Sequence, residues 1–219
     1  MEGSVTAIVI RAEERKDSDY LLRLFSAEGV ISAVMRGVRK ASSKMKFAAQ
    51  PFAFCVYELR GRGEIPGVTG ATQIEDFSGI AEDIVSFSAC SVMLEAARYS
   101  VDAVDCPDSF VSLLKCIKAV LYSAVNPAIV AIKYLQKLLF SSGFFRPEKG
   151  ELPEKDNCII SADKLCKAVA ASRLDELLEI TASDEAINSA LAITADKFEK
   201  FFYCTLSSAR FFTGKKRSV

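Results

Sequence analysis

The first stretch of the chain is written in short β-branched runs. Residues 5–11 (VTAIVIR), 20–25 (YLLRLF) and 30–35 (VISAVM) are apolar-rich, and the last two are joined across Ala27, Glu28 and Gly29. Residues 51–59 set Phe52, Phe54 and Val56 alternately against Ala53, Cys55 and Tyr57, and residues 65–71 follow a turn holding Gly61, Arg62 and Gly63. Runs of this length and period, bounded by glycine-rich turns, predict five strands. Closure into a small barrel would remove the unpaired edges that an open sheet of this size exposes, and an OB-fold is the expected form.

Beyond Phe77 the apolar spacing lengthens to three and four residues. Ile84, Phe87, Ser91, Leu94 and Val101 share one helical face, and Asp108 is the expected N-cap of a helix carrying Phe110, Leu113, Leu114, Ile117 and Leu121. Asn126 followed by Pro127 starts a third helix with Ile129, Ile132, Leu135, Leu138 and Leu139, which Gly143 ends. Residues 144–157 hold two prolines, a glycine and many charges, and read as a loop. Short helices are expected over 161–171 and 174–180, then one long helix over 184–212 with Ile187, Leu191, Ala195, Phe198 and Phe202 on one face. The expected class is α+β: a five-stranded OB-fold barrel over residues 1–77, followed by an α-helical domain over 78–219.

Composition narrows the chemistry. The 219 residues, half of them hydrophobic, suffice for two modest cores, and 28 basic residues balance 28 acidic ones. No apolar run approaches a membrane span, and the N-terminus carries acids where a signal peptide needs bases, so a cytoplasmic protein is expected. Seven cysteines are scattered, none closer than Cys158 and Cys166, which suits reduced thiols packed as small hydrophobes. The chain has no histidine and no G-x-x-x-x-G-K-[ST] loop, which removes histidine-dependent catalysis and a phosphate-cradling loop. Neither an enzyme nor a cofactor is expected.

Charge is distributed unevenly despite its zero sum. Within residues 34–59, Arg36, Arg39, Lys40, Lys44 and Lys46 occur with no acid until Glu58. Local density of this kind attracts a polyanion, because phosphate affinity depends on where the cations sit. Arg60 and Arg62 in the glycine turn extend the set if both loops share one rim of the barrel. An ordinary solvated loop is the plain alternative. Phe52 and Phe54 read as core, whereas Tyr20 and Tyr57, whose hydroxyls tolerate water, are better candidates for stacking on bases.

Four stretches in order carry a resemblance: SVTAIVIRAEERKDSDYLLRLFSAEGVISAV, RGVRK followed by AAQPF, ELRGRGEI, and PAIVAIKYLQKLLFSSGF. With them the chain resembles the bacterial RecO family of recombination mediators, well over about the first 145 residues and weakly beyond. The resemblance implies an OB-fold and a helical domain, binding of single- and double-stranded DNA, strand annealing, and partnership with RecR and single-stranded DNA-binding protein in loading RecA. Many members carry a zinc module of paired cysteines after the helix ending near residue 144. Here only Cys158 and Cys166 fall in that region, too few ligands for tetrahedral zinc, so no metal is expected.

The acidic, carboxylate-terminated tail of single-stranded DNA-binding protein needs a cation beside an apolar groove. Lys133, Tyr134 and Lys137 are the candidates: the lysines are four residues apart on one helix face, and the resemblance puts a basic residue, usually arginine, at position 133. The competing reading of the chain is a protein-interaction scaffold with weak or no DNA binding.

Overall fold

The computed structural model describes residues 2–15, 18–61, 63–143 and 158–213. The chain divides into two compact units: Met1–Gly79 with Cys106–Phe110, and Ile80–Asp105 with Val111–Val219.

In the first unit β1 (Glu2–Arg15), β2 (Asp19–Ser26), β3 (Gly29–Met35), β4 (Phe54–Arg60) and β5 (Gly67–Glu75) form a closed barrel in the order β1-β2-β3-β5-β4. Closure depends on β1, which is twice the expected length. Its first half pairs with β4, from Glu2 opposite Arg60 to Ile8 opposite Phe54. Its second half pairs with β2, from Ala7 opposite Ser26 to Arg15 opposite Asp19, and the register shifts between Val9 and Arg11. Such a bulge bends and twists a strand, letting one strand serve two partners. Residues 12–15 lack an apolar pattern and are held by the hairpin ladder instead of by burial. β4 in turn starts later than expected, at Phe54, because Phe52 sits in the left-handed region with φ 65° and breaks the extended run.

Inward-facing Val5, Ala7, Val9, Leu22, Leu24, Ala33, Met35, Tyr57, Leu59 and Val68 fill the barrel. A 3-10 turn, Lys46–Ala49, contributes Ala48 and Ala49 to the same core. Tyr57 is fully buried and its hydroxyl donates to the Ala48 carbonyl at 2.8 Å, so it is a core residue and not a stacking platform. Phe52 and Phe54 are buried as well. The Phe54 ring stacks on Phe77 with centroids 6.0 Å apart and meets Phe110 edge-on at 6.2 Å, and Phe25 meets Phe110 at 5.6 Å.

Burial raises the Tyr57 phenol far above its ordinary range, with Cys55 beside it adding to the shift. The folded state therefore keeps a proton that the unfolded chain surrenders near pH 10, so this contribution to stability is complete below that pH and shrinks as pH rises past it. The buried Cys90 and Cys116 thiols, both pushed up to about 12, act in the same sense. Tyr57→Phe should cost about 1 kcal/mol at pH 8 through its lost hydrogen bond. By pH 10.5 that deficit should shrink by about 0.8 kcal/mol, since only the wild type loses stability through this phenol. Urea midpoints at the two pH values check it.

The second unit is helical. α1 (Ile84–Ser100) is capped by the Asp83 carboxylate, which accepts from the Ser86 amide, and α2 (Cys106–Tyr122) follows with Asp108 inside its first turn, not at the expected N-cap. α3 (Pro127–Ser141) begins as expected, with the Asn126 side chain accepting from the Ala128 amide at 2.9 Å. α4 (Ala162–Ala171) precedes a 3-10 turn at Asp175–Glu179, and Ser183 caps α5 (Asp184–Phe202). α3 is the centre of this unit: Ile129, Val130, Ala131, Ile132, Tyr134, Leu135, Leu138 and Leu139 are all buried, more than the single stripe its spacing predicts.

The long helix expected over 184–212 is two pieces. α5 ends where Tyr203 enters the left-handed region with φ 48°, and α6 (Arg210–Thr213) comes after a separate turn. The amides of the break are taken up by acids: Leu206 donates to the Glu199 carboxylate at 2.7 Å and Ser208 to that of Glu95 at 3.0 Å. Leu206 is thereby buried. Among the described residues no helix is long and apolar enough to cross a membrane.

Candidate nucleic-acid interface

Strand register brings Arg60 near the start of the connection that carries the other described candidate cations. Val34, Gly67 and Arg60 are cross-strand partners on β3, β5 and β4, and Arg60 is opposite Glu2 on β1. Neighbouring strands lie about 4.8 Å apart, which puts the Arg60 and Val34 backbones about 10 Å from one another. Residues 36–46 leave the barrel immediately after β3, so they start beside this row. Glu14, Tyr20 and Met35 form the matching row on β1, β2 and β3.

The connection is pinned to the β1–β2 hairpin. The Gly37 amide donates to Asp19 Oδ1 at 2.7 Å, the Arg39 amide to the Ser18 carbonyl at 3.0 Å, and Lys40 to the Gly37 carbonyl at 3.2 Å. Gly37 adopts φ 64°, a conformation that a side chain would strain, which explains a glycine between Arg36 and Val38. The turn therefore presents Arg36, Arg39 and Lys40 on a fixed backbone.

Each cation meets a different environment. Arg36, Lys40 and Lys44 are exposed with no ion pair among the described residues. Lys46 opens the 3-10 turn, and its ammonium reaches the Ala41 carbonyl at 3.4 Å. Arg39 pairs with Glu14 at 2.9 Å, and its guanidinium carbon lies 5.9 Å from the centre of the Tyr20 ring. Arg60 pairs with Glu2 at 2.8 Å, both largely exposed. Pairs this open to solvent contribute about 0–1 kcal/mol, little enough for a phosphate to displace the carboxylate. Arg62 lies outside the described residues.

Tyr20, Val38, Arg39, Lys46 and Gln50 line an open cavity of about 240 Å³. Arg39 and Tyr20 are 19 positions apart, and Glu14 was not marked by the charge pattern at all. The hairpin register was the available signal: Glu14 and Tyr20 are direct cross-strand partners and so share a face.

The trio expected on α3 is not one surface. Tyr134 is fully buried, so its ring is core packing. The Lys133 ammonium donates to the carbonyls of Val169 at 3.0 Å, Ala170 at 3.2 Å and Ser172, closing the C-terminal end of α4. A cation at that end also meets the negative pole of the helix dipole. Burial pushes the Lys133 pKa down. Beside it the Gln136 amide donates to the Cys166 carbonyl at 2.9 Å, so this face of α3 is taken up by α4. Lys137 is half-buried one turn on.

Of the two cysteines judged too few for a zinc site, Cys158 is exposed and the Cys166 thiol faces the Ala190 carbonyl at 3.7 Å and the Thr194 hydroxyl at 3.6 Å. No group of three or more candidate ligands converges among the described residues.

Comparison with known proteins agrees with the barrel. Residues 1–77 match the family model described as "Recombination protein O N terminal". The chain is also 32% identical over 150 residues to the "DNA repair protein RecO" of Desulfitobacterium hafniense, an alignment covering 68% of the chain and 54% of that relative. The chain belongs to the RecO family. RecO proteins of Heliobacterium modesticaldum, 34% identical over 90 residues (41% of this chain, 33% of the relative), and of Syntrophomonas wolfei, 27% over 162 (72% and 61%), are similar to it as well. The chain spans about half the length of the first of these RecO proteins. The RecO N-terminal model covers the barrel, β1 to β5, and with it every proposed DNA contact.

Proposed function

We propose that this RecO-family chain is a DNA-binding recombination mediator in DNA repair. In this reading Arg36, Arg39, Lys40, Lys44, Lys46 and Arg60, with Arg62, contact phosphates of single- and double-stranded DNA. The protein anneals complementary strands and works with RecR to load RecA onto DNA coated by single-stranded DNA-binding protein. The observation that supports it most is the strand register that sets Arg60 on β4 two strands from Val34 on β3, just before the cation-bearing residues 36–46 leave the closed barrel. Phosphate contacts carry no base information, so sequence preference is weak. Nothing in this role calls for a catalytic group or cofactor, and the work is done in the cytoplasm on chromosomal DNA.

A scaffold that binds proteins but little DNA is favoured by one observation, the pairing of Arg39 and Arg60 with acids of β1. An annealing assay separates the readings. Complementary strands coated with single-stranded DNA-binding protein should anneal faster with the chain present, and RecR should modify that rate. Annealing at the uncatalysed rate under every condition would leave the scaffold ahead.

A further inference from the structure

The cavity bordered by Tyr20, Val38, Arg39, Lys46 and Gln50 has the composition of a subsite and not of a plain phosphate patch: one aromatic face, one apolar wall, two cations and an amide. Its volume, about 240 Å³, is below the roughly 300 Å³ at which pockets for drug-sized ligands begin, which suits a single base. Tyr20 is only part-buried, unlike the other barrel aromatics Phe25, Phe52, Phe54 and Tyr57.

Spacing decides how such a base could enter. A ring between the Tyr20 face and the Arg39 guanidinium needs about 7 Å, two contacts of about 3.5 Å. The guanidinium carbon is 5.9 Å from the ring centre, so the gap is closed while Arg39 holds Glu14. The side chain must swing away for the ring to be covered by anything else. A phosphate arriving at Arg39 offers that exchange, because it competes for the same guanidinium as the Glu14 carboxylate, in an exposed pair.

We propose that this cavity holds one unstacked nucleotide of single-stranded DNA, with Tyr20 as the stacking platform and Glu14 as a stand-in for phosphate that occupies Arg39 until DNA displaces it. The proposal rests on the DNA-binding reading of the same barrel end and adds to it a preference with a structural source. Bases in a duplex are already stacked and paired, and cannot reach the Tyr20 face. Single strands gain the stacking contact, and duplex gains only the phosphates.

The test titrates labelled oligothymidylate and a blunt duplex of equal length into the full chain and its variants. Tyr20→Leu should weaken single-strand binding by about 5- to 150-fold, leave duplex binding as it is, and leave the salt slope unchanged, since stacking releases no counterions. Tyr20→Phe should restore it. Glu14→Gln should tighten single-strand binding a few-fold. Glu13→Gln removes the same charge from a carboxylate paired with Arg11 and should do less. Equal losses on both DNAs for Tyr20→Leu, no loss on the single strand, or equal gains for the two glutamine variants would overturn the subsite while leaving DNA binding in place. Failure of the wild type to bind either DNA would overturn the DNA-binding reading itself. If Tyr20→Leu does not fold, the Glu14 and Glu13 pair decides.

Discussion

Replacing Arg39 and Lys40 together by alanine flattens the salt dependence of single-strand binding. Each phosphate neutralised on a single strand contributes about 0.7 to the slope of log affinity against log salt. Seven contacts from Arg36, Arg39, Lys40, Lys44, Lys46, Arg60 and Arg62 would give a slope of about 4.9, and raising salt from about 50 to 200 mM would weaken wild-type binding by about 900-fold. With two contacts gone the slope falls to about 3.5 and the same change in salt costs about 130-fold. The fold should survive, because both side chains are exposed and the Arg39 backbone is tied to the Ser18 carbonyl whatever its side chain. The lost pair with Glu14 removes at most about 1 kcal/mol. Anisotropy titrations at several salt concentrations measure both slopes, and a double variant with the wild-type slope would place the DNA elsewhere on the protein.

The second large effect is on stability. Lys133→Met keeps most of the apolar stem and removes the ammonium, leaving the carbonyls of Val169, Ala170 and Ser172 without their shared donor. Leaving buried acceptors unpaired costs about 1–3 kcal/mol, moderated here because Lys133 is only part-buried and water can reach some of the vacated volume. A loss of about 2 kcal/mol lowers the melting temperature of a chain this size by about 4–8 °C. Opening should begin locally, so amide exchange in α4 should accelerate more than in α1. Arginine at 133 would keep the charge but needs room for its fork, and should recover part of the loss. Unchanged melting and unchanged exchange in α4 would mean that the ammonium does not hold the helix end.

The two effects illustrate what local pattern can and cannot disclose. Short β-branched and apolar runs bounded by turns, with clear alternation over residues 51–59, located all five strands. The polar end of β1 escaped because residues 12–15 are held by register to β2, and a ladder partner leaves no mark on composition. The break at Tyr203 escaped for a similar reason: Phe198 and Phe202 continue the helical spacing up to it, and the left-handed residue is a tyrosine where a glycine would have signalled a stop. Lys133 looked like a surface cation because its partners lie 36 to 39 positions away on another helix. The same helix spacing placed Tyr134 at its edge, whereas α3 is covered around most of its circumference and the ring is buried. On the barrel, the cations of residues 36–46 were legible as a cluster, but the acids that meet two of the arginines were not. Glu14 and Glu2 come from β1, brought opposite by pairing.

The central claim, that DNA lies across the barrel end built by residues 36–46, is tested most directly by hydrogen exchange of the full chain with and without an oligothymidylate. Protection should appear in residues 36–50 and around Tyr20 and Arg60, with the amides of α3 and α5 exchanging as before. Protection confined to the helical unit, or none at a concentration where DNA is bound, would contradict it.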